Sequence, residues 1–348
     1  MTMFRKMLTG VAFGAIALSV ASPSFAQELR QLNIMLPNNN TTTMYAPIVA
    51  RELGLFEKVG LKINWLDSNT TVPYIAFLSN GDADAVVLDA PQTFQAVNAK
   101  QPIAVVYEIH QNAPEVLSVP IDGPVQTLEG LKGQTIGMAS DRDLITAQVV
   151  LDTAGISIDE VTTVVVGDSG PVMAKAIQDK RIAAFAAGIN DTIVIEGFGI
   201  KMRDLTPPEI KINPANTLSV WKPRLEELRP DLEKFLRVWA MATSVGKIDP
   251  DALAKMAAKS VPEEWETPEM GKAIMEASFT LNFPVAGRYG QVQPDVWKKV
   301  QGPYLKFGQI EAEIDPATFL DDSFIGPAND FSEDELKAAL AEWKKANM

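Results

Sequence analysis

Short polar side chains gather in six loops, each of which follows an apolar run and precedes a helical one. In the first half of the chain, the candidate ligand-binding residues are Asn38, Asn39, Asn40, Thr41, Thr42 and Thr43, then Ser68 and Asn69, then Asp89. In the second half they are Ser140, Asp141 and Arg142, then Asp168 and Ser169, then Asn190 and Asp191. Such side chains, with the free N–H groups of helix N-termini, suit carboxylate, sulfonate or polar heterocyclic groups. They are also common helix caps: Ser140 with Asp143 fits a capping box, and Asp89 with Gln92 fits a looser one, so both roles stay open.

Arg142 is the only cation in these loops. Their acids are Asp67, Asp89, Asp141, Asp143, Asp168 and Asp191. This balance disfavours a multiply charged anion and fits a zwitterion, a monoanion or a neutral ring. Arg142 would then pair with an anionic group of the ligand through charge-assisted hydrogen bonds. The alternative is an exposed ion pair with Asp141 or Asp143.

The chain has no cysteine and a single histidine, His110. This composition excludes thiol nucleophiles, disulfides, iron–sulfur clusters, cysteine-ligated zinc and any site that needs two histidines. No Gly-x-Ser-x-Gly, Walker A or Gly-x-Gly-x-x-Gly motif occurs. We therefore expect no catalytic residues, no metal and no cofactor. His110 follows the apolar run 103–109, where it either reaches a ligand or braces a hinge.

The overall charge points to a small-molecule solute and away from nucleic acid. There are 31 Lys and Arg residues against 44 Asp and Glu, a net charge of −13 at pH 7. A chain with this excess of negative charge repels phosphate backbones, so we expect no nucleic-acid partner.

The first 26 residues have the pattern of a secretory signal. Arg5 and Lys6 precede the apolar stretch 11–20, and Ser24 and Ala26 are small residues before a cleavage site. The alternative is a membrane anchor, but the apolar core is shorter than the roughly 20 residues that a spanning helix needs. We expect cleavage after Ala26 and export to the periplasm.

Strands and helices alternate twice in the same order, which is typical of a parallel α/β sheet. Strands are predicted at 31–36, 61–66 and 84–88, and again at 134–139, 161–166 and 182–187. Three pairs of residues lie 101 positions apart: Gly54 and Gly155, Asp67 and Asp168, and Ser68 and Ser169. The offsets indicate two similar lobes; generic α/β periodicity is the alternative.

The last third of the chain is predicted to be helical and to return onto the first lobe. Helices are expected at about 223–245, 250–259, 268–277, 294–307 and 332–346. Two crossings between the lobes, near 113–120 and 211–219, would form a hinge. The predicted architecture is α/β, with two open, mostly parallel sheets joined by a two-strand hinge and a helical C-terminal tail. Its segments are a signal peptide (1–26), lobe 1 (27–115), lobe 2 (116–217) and the second part of lobe 1 (218–348).

Residues 46–91 closely resemble the start of the solute-binding proteins of ABC importers for nitrate, sulfonates, taurine and thiamine-pyrimidine precursors. The family pattern A-P-x-V-A-x-x-x-G-x-F-x-x-x-G-L is matched by Ala46-Pro47, Val49-Ala50, Gly54, Phe56 and Gly60-Leu61. The segment 80–85 (NGDADA) matches its small-residue N-G-x-x-D-A motif, and 128–140 (LEGLKGQTIGMAS) is similar to the start of its second lobe.

The resemblance implies a type II periplasmic-binding fold that closes on a small solute and docks onto a membrane permease driven by a cytoplasmic ATPase. It implies a monomer whose pocket uses Asn38–Thr43, Asp89, Ser140–Arg142, Asp168 and Asn190. An exported sensor of the same fold is a second reading. A pyrimidine-synthase-like enzyme is the third, but that chemistry uses a cysteine-rich motif and several histidines that this chain lacks.

Overall fold

A computed structural model of the protein describes residues 29–66, 73–167, 169–285 and 287–348. The expected signal peptide and the candidate residues Ser68, Asn69 and Asp168 lie outside these ranges. In the described part of the chain, no helix has both the length and the apolar character to cross a membrane.

The strands of the described residues are β1 (Arg30–Met35), β2 (Leu61–Leu66), β3 (Ala85–Leu88), β4 (Ile103–His110), β5 (Glu115–Pro120), β6 (Thr135–Met138), β7 (Thr162–Val165), β8 (Ala184–Gly188), β9 (Met202–Asp204) and β10 (Asn216–Trp221). They form two five-stranded sheets, ordered β2-β1-β3-β10-β4 and β7-β6-β8-β5-β9. We call the first sheet with the helices on it lobe 1, and the second sheet with its helices lobe 2.

Each sheet is parallel apart from one interior strand. In lobe 1, β10 runs antiparallel to both β3 and β4. In lobe 2, β5 runs antiparallel to both β8 and β9. These two strands carry the chain across the hinge, because β4 leads into β5 and β9 leads into β10. The mostly parallel, two-sheet architecture is as predicted, whereas strand β9 and the antiparallel placement of β5 and β10 were not.

The helices are α1 (Ala46–Leu53), α2 (Leu55–Lys58), α3 (Tyr74–Asn80), α4 (Ala90–Asn98), α5 (Leu144–Thr153), α6 (Gly170–Gln178), α7 (Ile189–Gly197), α8 (Pro208–Lys211), α9 (Leu225–Ile248), α10 (Pro250–Ser260), α11 (Pro268–Asn282), α12 (Pro294–Lys306), α13 (Ile325–Ala328) and α14 (Glu333–Asn347). Among the described residues, seven short 3-10 turns lie at 42–44, 129–131, 141–143, 158–160, 222–224, 262–265 and 316–318.

The repeat that the sequence indicated has a physical basis in the first helix of each lobe. Helix α1 ends at Gly54, whose φ is 59°, and α5 is followed by Gly155, whose φ is 68°. Glycine adopts this left-handed conformation without the steric penalty that a Cβ imposes, so it can end a helix and change the direction of the chain.

The helical tail packs on lobe 1. The long helix α9 buries Phe235 and Trp239 in the main core, where Phe235 stacks on Phe56 at 5.4 Å. A second apolar cluster joins Phe94 of α4 to Trp297 of α12. The tail therefore supplies much of the core that covers the first sheet.

His110 braces the hinge, which was one of its two expected roles. It ends β4, is 3% exposed, and its Nδ1 lies 2.9 Å from Nδ2 of Asn216 at the start of β10. Because Asn216 Nδ2 is a donor, His110 Nδ1 must accept. Burial lowers the pKa of His110 to about 4, opposed by the neighbouring Thr43 carbonyl and Asn282 side chain.

Candidate ligand-binding site

A cavity of about 610 Å³ lies between the lobes. Lobe 1 contributes the start of α4, with Asp89 and Gln92, and lobe 2 contributes 140–146 and 148–150. Both crossings line it, the first at Ala113 and Glu115 and the second at Thr206, 209–210 and 212–215. The tail closes one side with Lys299, Val300, Pro303, Tyr304 and Gln309. We call this space the interlobe cavity. Its volume lies within the range of small-molecule sites.

Asp89 begins α4 as the cap of a capping box. Its Oδ1 accepts a hydrogen bond from the backbone N of Gln92 at 2.7 Å, and Gln92 Oε1 accepts one from the backbone N of Asp89 at 3.1 Å. Burial raises the pKa of Asp89, while the Gln92 N–H and the Arg142 charge lower it. The sequence predicted this capping pair, and the cap lines the cavity as well.

Ser140 and Asp143 form the corresponding box in lobe 2. Asp143 Oδ2 accepts hydrogen bonds from the backbone N of Ser140 at 2.7 Å and from its Oγ at 3.0 Å. Burial raises the pKa of Asp143, and the bonds from Ser140 oppose that shift. Each lobe thus presents a capping carboxylate to the cavity.

Arg142 reaches across the cavity to lobe 1. Its Nη2 lies 3.5 Å from Oδ2 of Asp89, and its side chain is 78% exposed. Its ion-pair partner is therefore an acid of the other lobe and neither Asp141 nor Asp143. This exposed pair links the lobes at the mouth of the cavity.

Glu115 is a lining residue that sequence reasoning did not single out. It begins β5 directly after the first crossing and is half-buried. Burial, together with the nearby charges of Asp89 and Asp143, raises the pKa of its carboxyl to about 7, against the opposing effects of a backbone hydrogen bond and of Arg142. The signal available in the sequence was its place next to the predicted hinge, since a hinge borders any cleft between lobes.

Apolar side chains form the remaining walls. Leu144, Ile145 and Val150 come from α5, and Val300 and Tyr304 come from α12. Ile145 packs against the lobe 1 cluster around Phe94, so the two lobes are in apolar contact beside the cavity. The site can therefore hold an apolar body next to charged groups.

The aromatic residues near the strand–helix junctions of lobe 1 lie away from the cavity. Tyr45, Phe94 and Tyr107 are buried in lobe 1, and Trp65 packs against Phe56 and Phe235. Tyr74 packs at the edge of a lobe 1 cluster. The aromatic ring at the cavity is Tyr304, which belongs to the tail.

The Asn/Thr run 38–43 is bonded to the tail and does not line the interlobe cavity. Glu264 accepts from Thr41 Oγ1 at 2.7 Å and from the backbone N of Thr42 at 2.8 Å. Asn40 Nδ2 donates to the Ser260 carbonyl at 2.8 Å. The Thr43 carbonyl also accepts a hydrogen bond from the tail, from the Asn282 side chain. Asn38 Oδ1 accepts one from the backbone N of Asn40, within the loop. Asn39 is half-buried in the same loop.

Of the other candidate residues, Asp89, Ser140, Asp141 and Arg142 line the cavity, whereas Ser169, Asn190 and Asp191 do not. Ser169 precedes α6, and Asn190 lies in the first turn of α7. Asp191 accepts from the backbone N of Gly188 at 3.2 Å, which is the local bond of a helix start.

A family model described as NMT1/THI5 like matches residues 38–252. No curated protein matches the chain. The periplasmic aliphatic sulphonate binding protein SsuA from Escherichia coli superposes with a TM-score of 0.67 at 14% identity, over 83% of this chain and 96% of that one. The alkanesulfonate-binding protein SsuA from Xanthomonas axonopodis pv. citri, bound to MOPS, gives 0.65 at 15%, over 85% and 99%. The desulfurization enzyme DszB gives 0.62 at 13%, over 86% and 98%. At these identities the likeness is one of fold.

Proposed function

The chain belongs to the NMT1/THI5-like family, and we propose that it is the solute-binding component of an ABC importer. It captures one small organic solute between its lobes and delivers it to a membrane permease. The observation that carries this proposal is the interlobe cavity, which touches both lobes and both crossings. A solute held there contacts two bodies that can move relative to each other, so binding favours the closed arrangement.

The proposal includes the cellular setting that the sequence predicted. The chain is exported and cleaved after Ala26, and it acts in the periplasm as a monomer with permease subunits and a cytoplasmic ATPase as partners. Lobe 1 comprises 27–115 and 218–348, and lobe 2 comprises 116–217. The two SsuA proteins of the same fold, named for binding sulfonates, support this role.

Binding without turnover is part of the same proposal. The fold also occurs in the desulfurization enzyme DszB, so fold alone does not separate binding from catalysis. Here the chain has no cysteine, and its single histidine is buried in the hinge with a lowered pKa. Neither a thiol nucleophile nor an exposed imidazole base is available to a bound solute.

A thermal-shift screen tests the proposal. The mature protein is tested against sulfonates, carboxylates, nitrogen heterocycles and amines. A solute at about 100 times its Kd should stabilise the fold by about 2.7 kcal/mol. Small-angle scattering with that solute should give a smaller radius of gyration, and mass spectrometry should return the solute unaltered. A chain that no class stabilises, or that converts more than one equivalent, is not a binding component.

A further inference from the structure

The charges that line the interlobe cavity are sorted by depth. Five carboxylates and two cations line it. Asp89, Glu115 and Asp143 are half-buried, whereas Asp141, Glu209 and both cations, Arg142 and Lys299, are exposed. The exposed charges balance each other, and the inner carboxylates have no inner cation beside them. Water screens the rim more strongly than the interior, so the inner group dominates what a ligand experiences.

Donors at both helix starts already bond protein carboxylates. The backbone N–H groups of Gln92 and Ser140 donate to Asp89 and Asp143. Nη2 of Arg142 is paired with Asp89. An anionic ligand that took these donors would leave the carboxylates unpaired beside it.

Some acceptor oxygens at the cavity, in contrast, make no hydrogen bond with the described part of the protein. Asp143 uses Oδ2 for both bonds from Ser140, which leaves Oδ1. Among the described residues, no other side chain donates a hydrogen bond to the Glu115 carboxylate. A ligand rich in N–H donors matches this set.

We propose that the solute carries a protonated amine or amidine, bound by Asp89, Glu115 and Asp143, on an apolar body that rests against Ile145, Val300 and Tyr304. The inference deepens the proposed function and rests on it. The charges of Asp89 and Asp143 raise the pKa of Glu115, and a cation placed among the three carboxylates stabilises their charged forms. Within the described residues, no three His, Cys, Asp or Glu side chains gather in a way that could hold a metal ion.

Matched probes of one shape and three charges test the charge of the ligand. Benzamidine is a protonated amidine, benzamide is neutral, and benzenesulfonate is an anion, and all three share the phenyl body. Titration calorimetry of the mature protein at pH 8 should detect benzamidine and neither of the others. Glu115→Gln should weaken benzamidine binding about tenfold, which is the size expected for a lost hydrogen bond to a charged group. The control Glu57→Gln changes the net charge equally at an exposed position of α2, away from the cavity, and should leave the Kd unchanged.

Each other result counts against the inference in a distinct way. Benzenesulfonate binding as tightly as benzamidine would overturn the charge assignment and leave the solute-binding function standing. If Glu115→Gln and Glu57→Gln weakened benzamidine binding equally, the loss would come from the net charge of the protein and not from a contact between Glu115 and the ligand. No binding by benzamidine, combined with stabilisation by any anion of the wider screen, would also overturn it. No stabilisation by solutes of any charge removes the proposed function itself.

Discussion

Arg142 and Asp89 face each other across the interlobe cavity, with 3.5 Å between Nη2 and Oδ2. The two residues belong to different lobes, and each lies at the start of a helix that points into the cavity. The sequence predicted both as ligand contacts, with Arg142 as the partner of an anion. In the structure the anion that Arg142 meets is part of the protein itself.

Removing the Arg142 charge should strengthen the binding of a cation. We expect Arg142→Ala to tighten benzamidine binding by on the order of 1 kcal/mol, the size of an exposed charge interaction at about 4 Å. Arg142→Lys keeps the charge and should bind as the wild type does. The free energy of unfolding should change by about 0–1 kcal/mol, because the pair is exposed. Calorimetry checks the affinity, and weaker benzamidine binding in Arg142→Ala would contradict the prediction.

A second ion pair between the lobes should bias the closed arrangement. Lys306 of α12 pairs with Asp152 of α5. We expect Lys306→Ala to shift the population toward the open form by up to about fivefold, since an exposed pair contributes up to about 1 kcal/mol. Small-angle scattering of the free protein should then give a larger radius of gyration. Lys175→Ala is the matched control, because its pair with Asp179 lies within α6 and its C-cap; an equal change in both variants contradicts the prediction.

The buried acid Glu108 should make stability fall as pH rises. Its Oε1 accepts from the Gln293 backbone N and from Trp297 Nε1, each at 2.8 Å, and its Oε2 accepts from Gln293 Nε2 at 3.0 Å. Burial raises the pKa of Glu108 to about 7, which these three bonds oppose. The pKa of this carboxyl is about 4.5 in the unfolded chain, so between pH 4.5 and pH 7 the folded state holds a proton that the unfolded state has lost. The free energy of unfolding therefore falls as the pH rises through this range.

Glu108→Gln removes this titration and keeps a side chain that can accept and donate. We expect the free energy of unfolding of this variant, minus that of the wild type, to increase steadily from pH 5 to pH 8. Urea unfolding at several pH values measures the difference, so other titrating groups cancel. Glu108→Ala leaves three donors without an acceptor and should destabilise the protein at every pH. A wild-type-minus-variant difference that is flat with pH would contradict the raised pKa.

Gly290 should tolerate no side chain, for reasons of space. A Cβ there would lie 2.0 Å from Cε2 of Tyr107, and the Gly290 carbonyl accepts from the backbone N of Glu108 at 3.0 Å. Gly287 is a matched control because its φ is also positive, at 89° compared with 74° for Gly290, but no atom lies within 4 Å of the Cβ position at Gly287. We expect Gly290→Ala to be less stable than Gly287→Ala by about 1–3 kcal/mol, the usual cost of overpacking. Chemical denaturation of both variants checks this, and equal values would contradict it.

Local pattern predicted the elements well. Strand β2 covers Leu61–Leu66, which is its predicted range, and helix α12 (Pro294–Lys306) ends one residue before its predicted end at 307. These elements are set by residues near one another in the chain, such as a glycine in the left-handed region that ends a helix. The same local logic predicted the capping boxes at Asp89 and Ser140.

The composition of the site was decided by contacts between distant parts of the chain. Thr41 was expected to face a ligand, but Glu264, more than 200 residues later, accepts a hydrogen bond from its hydroxyl. Glu115 and Tyr304 line the cavity because the crossing and the tail meet there, and neither lies in a polar strand–helix loop. The sequence by itself therefore determined the two lobes, their helix starts and the absence of thiol chemistry. Only the tertiary structure decided which helix starts face each other and which charges surround the cavity, because those depend on how the tail packs back onto lobe 1.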